Sequence, residues 1–166
     1  MYRLFLFILL VSIVSPSITA AYEVTNRAAL RIDERHTLYL ITYAFGHEKY
    51  GFKLPSEANR GAKQDNVLGY ELQTPEGLTV RDGLAVSHIY SNTPKSGTEF
   101  ITPTGTSTAF TLVVLHQKAS STSRANTLTV TSLPFKIGTQ TSKLMPHELK
   151  SYTVSAAGTP ALDTTE

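Results

Sequence analysis

Alternation of apolar and polar residues runs through most of the chain. In Thr37 to Phe45, Tyr39, Ile41, Tyr43 and Phe45 fall on one face, and Leu38, Leu40, Thr42 and Ala44 on the other. A period of two is the repeat of a β-strand, and two mainly apolar faces predict a central strand covered on both sides at least in part. Tyr50, Phe52 and Leu54 alternate with Gly51 and Lys53 as a one-sided strand. Residues 46–49 then read as the hairpin connection between the two, with Gly46 supplying the tight-loop conformation.

The same reading continues downstream. Leu84, Val86, His88 and Tyr90 share the mainly apolar face of one strand. Phe110, Leu112, Val114 and His116 share a face of a second long strand and alternate with Thr111, Val113 and Leu115. Residues 118–126 read as a polar hairpin loop after it. Thr127 to Phe135 turns Leu128 and Val130 inward and threonines outward, as in an antiparallel sheet with one wet face. Shorter strands are predicted at 28–32, 67–72 and 150–154, with a polar turn at 33–35 and a Pro-Gly turn at Thr74-Pro75-Glu76-Gly77. Pro146 to Leu149 is the one plausible helical turn. Residues 55–65, 91–97 and 118–126 read as surface loops. About seven to nine short strands with regular turn signals predict an all-β fold, an antiparallel β-sandwich.

Residues 101–112, Ile-Thr-Pro103-Thr-Gly105-Thr-Ser-Thr-Ala-Phe110-Thr-Leu112, place a Pro-x-Gly turn ahead of a strand with an aromatic and a leucine pointing inward. This stretch resembles the immunoglobulin-like β-sandwich domains of bacterial surface and exported proteins. The resemblance implies Greek-key connectivity and carries over no functional residue. The chain has no Cys and no Trp, so the Cys-Trp-Cys framework of true immunoglobulin domains is missing.

The ends read differently from the middle. Arg3, the apolar run Leu4 to Val14, Pro16 and the small residues Ala20 and Ala21 form the three-part layout of a secretory signal peptide. The apolar run falls short of the about 20 residues that span a bilayer. The expected layout is a signal peptide at 1–21, a sandwich at 22–154 and a disordered tail at 155–166. This predicts a secreted or extracytoplasmic protein, in the periplasm or at the cell surface.

Of 15 Lys and Arg, removing Arg3 leaves 14 against 13 Asp and Glu. The basic residues are scattered, without the clustering that phosphate binding needs, which argues against nucleic acid as a partner. An exported chain without disulfides must build its core from apolar burial alone, and about 145 residues are enough for that.

Candidate chemistry is sparse. The five histidines form no His-x-His or HExxH spacing. His88 and His116 each lie on a mainly apolar strand face and are the candidate cross-strand metal pair. Met145 and His147 offer a sulfur and an imidazole to copper. No Asp-x-Asp run marks a calcium loop, and neither Gly-x-Ser-x-Gly nor a cysteine nucleophile is present. Tyr39, Tyr43, Tyr50 and Tyr70 are the candidate platform for stacking on a sugar. The expectation is therefore a non-catalytic structural or binding module without a cofactor, with a protein or a glycan as partner. The alternatives are a carbohydrate-binding module using the tyrosines and an extracytoplasmic metal-binding protein using the histidines.

Overall fold

Two strands of eleven residues, β2 (His36–Gly46) and β10 (Ser107–Gln117), pair antiparallel in unbroken register from His36 opposite Gln117 to Gly46 opposite Ser107. They form the middle of a four-stranded antiparallel sheet edged by β1 (Ala21–Arg31) and β7 (Leu84–Ser91), in the order β1-β2-β10-β7. The β1–β2 turn is held by Asp33, whose Oδ1 accepts from the backbone N–H groups of Arg35 and His36 at 2.7 Å each. This local carboxylate-to-backbone bonding is why an Asp begins the turn.

The computed structural model describes residues 21–120, 125–144 and 153–156. The second sheet contains β3 (Phe52–Pro55), β4 (Ala58–Arg60), β5 (Leu68–Gln73), β6 (Thr79–Val80), β8 (Lys95–Ser96), β9 (Glu99–Thr102), β11 (Thr127–Ile137), β12 (Gln140–Leu144) and β13 (Thr153–Ser155). Its organiser is β11. The first half of this strand pairs with β5 and β13, its second half with β12 and β3, and a register shift between Val130 and Ser132 marks the change. Such a shift bends a strand and lets it serve two sets of neighbours.

The two sheets face each other over an apolar core. Tyr39, Ile41, Tyr43, Phe45, Phe110, Leu112 and Val114 come from the first, and Phe52, Leu54, Leu68, Tyr70, Leu72, Leu128, Val130 and Leu133 from the second. Edge-to-face ring contacts join them, Phe45 with Phe52 at 4.9 Å and Phe100 with Phe110 at 6.1 Å. The fold is an all-β sandwich, as the alternation predicts.

Several details differ. The described residues form thirteen strands, more than expected, because the additional ones are too short to show a period. One pair, β4 with β5, is parallel, which departs from a purely antiparallel sandwich. Residues 55–65 thus contain a strand, and Ala58 is buried in the core. The expected hairpin between Thr37–Phe45 and Tyr50–Leu54 does not form. Both edges of β2 are taken by eleven-residue partners, and β3 lies in the opposite sheet, so residues 47–51 cross between sheets. The connection after β10 also crosses, since β11 belongs to the second sheet. At the C-terminal end Ala156 is buried and its N–H donates to the Asn126 carbonyl at 2.7 Å, so ordered packing continues past residue 154. Of the expected signal peptide at 1–21, residues 1–20 lie outside the described residues, as do the expected turn at 146–149 and residues 157–166.

Candidate functional site

The structure separates the residues expected to form a site. Tyr39, Tyr43 and Tyr70 are buried in the core, while Tyr50 is 38% exposed beside His47, with ring centroids 5.0 Å apart. The stacking platform is therefore corrected: three of its four rings project between the sheets, where no sugar reaches them. Burial pushes the Tyr39 phenol up to about 12, against smaller opposing effects of Thr37 and Arg31. Tyr70 is raised for the same reason, with Ser87 opposing.

The histidine pair is corrected as well. His88 pairs with Val113 and His116 with Ala85, so their side chains leave opposite faces of the sheet. His116 is buried among the core residues of β10, whereas His88 is exposed beside Tyr90. Burial lowers the His116 pKa, the Asp82 backbone pulls it back, and the cations Arg60 and Lys118 lower it further. Met145 and His147 lie outside the described residues. Among the described residues, no group of three or more His, Cys, Asp or Glu is placed to hold a metal ion.

What the fold does assemble is the outer face of the four-stranded sheet. The apolar set Leu84, Val86, His88 and Tyr90 points outward, and Ala85, Ser87 and Ile89 point toward the core. The register aligns this set with its neighbours in rows across the sheet. Leu30, Leu38, Leu115 and Val86 form one row; Ala28, Leu40, Val113 and His88 the next; Asn26, Thr42, Thr111 and Tyr90 a third. Leu84, Val86 and Tyr90 are 64%, 60% and 58% exposed, and Leu30 and Leu115 are 41% and 39%. In the third row the Thr42 and Thr111 hydroxyls bond each other at 3.0 Å, so their polar atoms satisfy one another.

Charge is nearly missing from this face. Among the described outward positions of its four strands there is no Lys or Arg, and the carboxylate is Glu23, opposite Ala44 at one corner. At that corner a shallow depression lies between Glu23, Ala44, His47 and Ser107. Elsewhere, a surface cleft on the second sheet is lined by Lys63, Glu71, Ser132 and Lys143, and Lys143 is bound to Asp65 at 2.8 Å. That cleft holds mixed charge. The sheet face carries no such mixture of Lys and Glu, its rows being apolar or neutral polar.

The sequence groups Leu84, Val86, His88 and Tyr90 on one face of β7 without saying which side of the sheet that face takes. The signal present in the sequence is that β2 and β10 are apolar on both faces, which means two covered surfaces and only one opposing sheet.

No protein-family profile, no curated protein and no solved structure matches the chain.

Proposed function

We propose that the chain is an exported, non-catalytic β-sandwich module with a structural or binding role at the cell surface or in the extracytoplasmic space, and that it works by docking another protein surface on the outer face of its four-stranded sheet. The observation that carries this reading is the uncharged apolar row Leu30, Leu38, Leu115 and Val86, in which Leu30, Val86 and Leu115 are exposed and Leu38 is half-buried. A flat apolar surface rimmed by polar residues gains from excluding water against a matching surface, at about 25 cal/mol per Å² of apolar area covered. It offers little to a sugar, whose hydroxyls need hydrogen-bond partners, and little to a charged ligand. The immunoglobulin-like reading belongs to the same proposal, supported by the turn at Pro103–Thr106 and by Phe110 and Leu112 pointing inward from the strand it feeds. Export rests on the layout of residues 1–21.

Photo-crosslinking tests the docking. A crosslinking residue placed at Val86 should give an adduct in the compartment where the protein accumulates. The same residue at Leu78, which is 67% exposed but lies outside this sheet, should give none. No adduct from Val86 or from Leu115 would overturn the docking reading. Mass spectrometry of the accumulated protein should find Ala21 or Tyr22 at its N-terminus, and recovery of the Met1 form from the cytoplasm would overturn export.

A further inference from the structure

We infer that the protein seated on this face is a second copy of the same chain, packed sheet to sheet about a two-fold axis; the inference rests on the docking reading above. Four strands at ~4.8 Å spacing, each contributing about eight residues at ~3.3 Å, present a planar footprint on the order of 500 Å². Two copies together then cover about 1,000 Å², the lower bound at which a specific interface is expected when complementarity is good.

The shape of the face suits a sheet as its partner. β2 and β10 run without a bulge for eleven paired positions, so the centre is a regular pleated surface. Regular sheets pack face to face at about 10 Å through interdigitating apolar side chains. The outward Leu, Val, Ala and Thr side chains match that composition.

Charge placement adds a second argument. In an isologous contact each residue meets the partner's surface under the symmetry operation, so a charge near the centre would face its own copy. The centre of this face has none, and Glu23 sits on an edge strand near its end. A two-fold axis parallel to the two sheets and midway between them, along or across the strands, carries that corner to a different corner, so the two Glu23 carboxylates stay apart. The exposed ring of Tyr90 and the imidazole of His88, 4.6 Å apart by centroid, lie on the opposite edge strand and supply polar groups for the rim.

Sedimentation equilibrium on the chain purified after export is the direct test. The parent protein should have twice the chain mass at about 50 µM. Val86→Lys and Leu115→Lys should each weaken the association at least about 100-fold, because a substitution enters a two-fold contact twice. Both should keep the circular dichroism of the parent. Leu78→Lys should remain dimeric. Should a lysine variant fail to fold, Val86→Thr keeps strand propensity and should still weaken the dimer. A parent protein of single-chain mass, or a dimer unaffected by every face variant, would overturn the inference. The adduct from Val86 separates the two levels. Crosslinked peptides joining two copies support the dimer. An adduct with another protein, or one within a single chain, from a monomeric parent overturns the dimer, and the former leaves the docking reading standing. Absence of any adduct overturns both.

Discussion

His116 shows at the residue scale how burial turns an ordinary side chain into a pH liability. Its pKa is held below 6.5, first by loss of solvent. Between that lowered value and 6.5 the unfolded chain takes up a proton that the folded chain refuses, so stability falls as the pH drops through this window. His116→Leu should flatten that part of the profile, measured as unfolding free energy by denaturant titration between pH 7 and pH 5. Asp33 and Asp65 act in a separate and more acidic range. Hydrogen bonds from His36 and Lys143 respectively hold their carboxyls below 3.8, so what they contribute is lost only as the pH falls toward those lowered values. Alkali acts through the buried phenols of Tyr39 and Tyr70. Their raised pKa values mean that stability is lost as the pH climbs above 10, where unfolded tyrosine ionises first. An ultraviolet titration should show these two ionising only together with unfolding. The ring of His116 also explains Gly83. A Cβ there would lie 2.9 Å from its Nε2 and 2.4 Å from the Gln117 carbonyl, at a φ of +79°. Gly83→Ala should cost about 1–3 kcal/mol by thermal or chemical unfolding, more than Gly97→Ala, where nothing lies within 4 Å of the new carbon.

Among elements, β10 carries the clearest contrast between core and surface. Leu112 is 1% exposed, while Leu115, three residues along on the other face, is well exposed. Leu112→Ala should destabilise by about 2–5 kcal/mol, from lost burial and the cavity left behind. Leu115→Ala should change the stability of the monomer by less than about 0.5 kcal/mol, measured under conditions dilute enough to keep copies apart. The alternation that separates these two leucines was legible along the whole strand, as it was for Tyr39, Ile41, Tyr43 and Phe45 on β2. Pairing was not. Residues 46–49 look like a hairpin because two apolar strands flank them, yet β2 bonds to β1 and β10 at full length while β3 has four residues to offer. A strand takes the neighbours that satisfy the most backbone groups, and those neighbours can be distant in sequence.

For the whole molecule, the central pairing of β2 with β10 closes a long loop before it gains any contact. Such non-local sheets fold in roughly milliseconds to seconds, and stopped-flow refolding followed by tyrosine fluorescence should fall in that range. Sequence by itself determined the strand period, the all-β class and the lack of any compact catalytic or metal motif, because these depend on neighbours within a few residues. It also determined that β2 and β10 are apolar on two sides. Tertiary structure decided which of those sides meets the other sheet. By pairing β7 with β10 in one register, it sent His116 inward and Leu84, Val86, His88 and Tyr90 outward. A one-residue slip would reverse that assignment, and alternation alone cannot tell the two apart when both faces contain apolar residues. The opposing sheet fixes it, since it can cover only one face and leaves the second exposed to solvent.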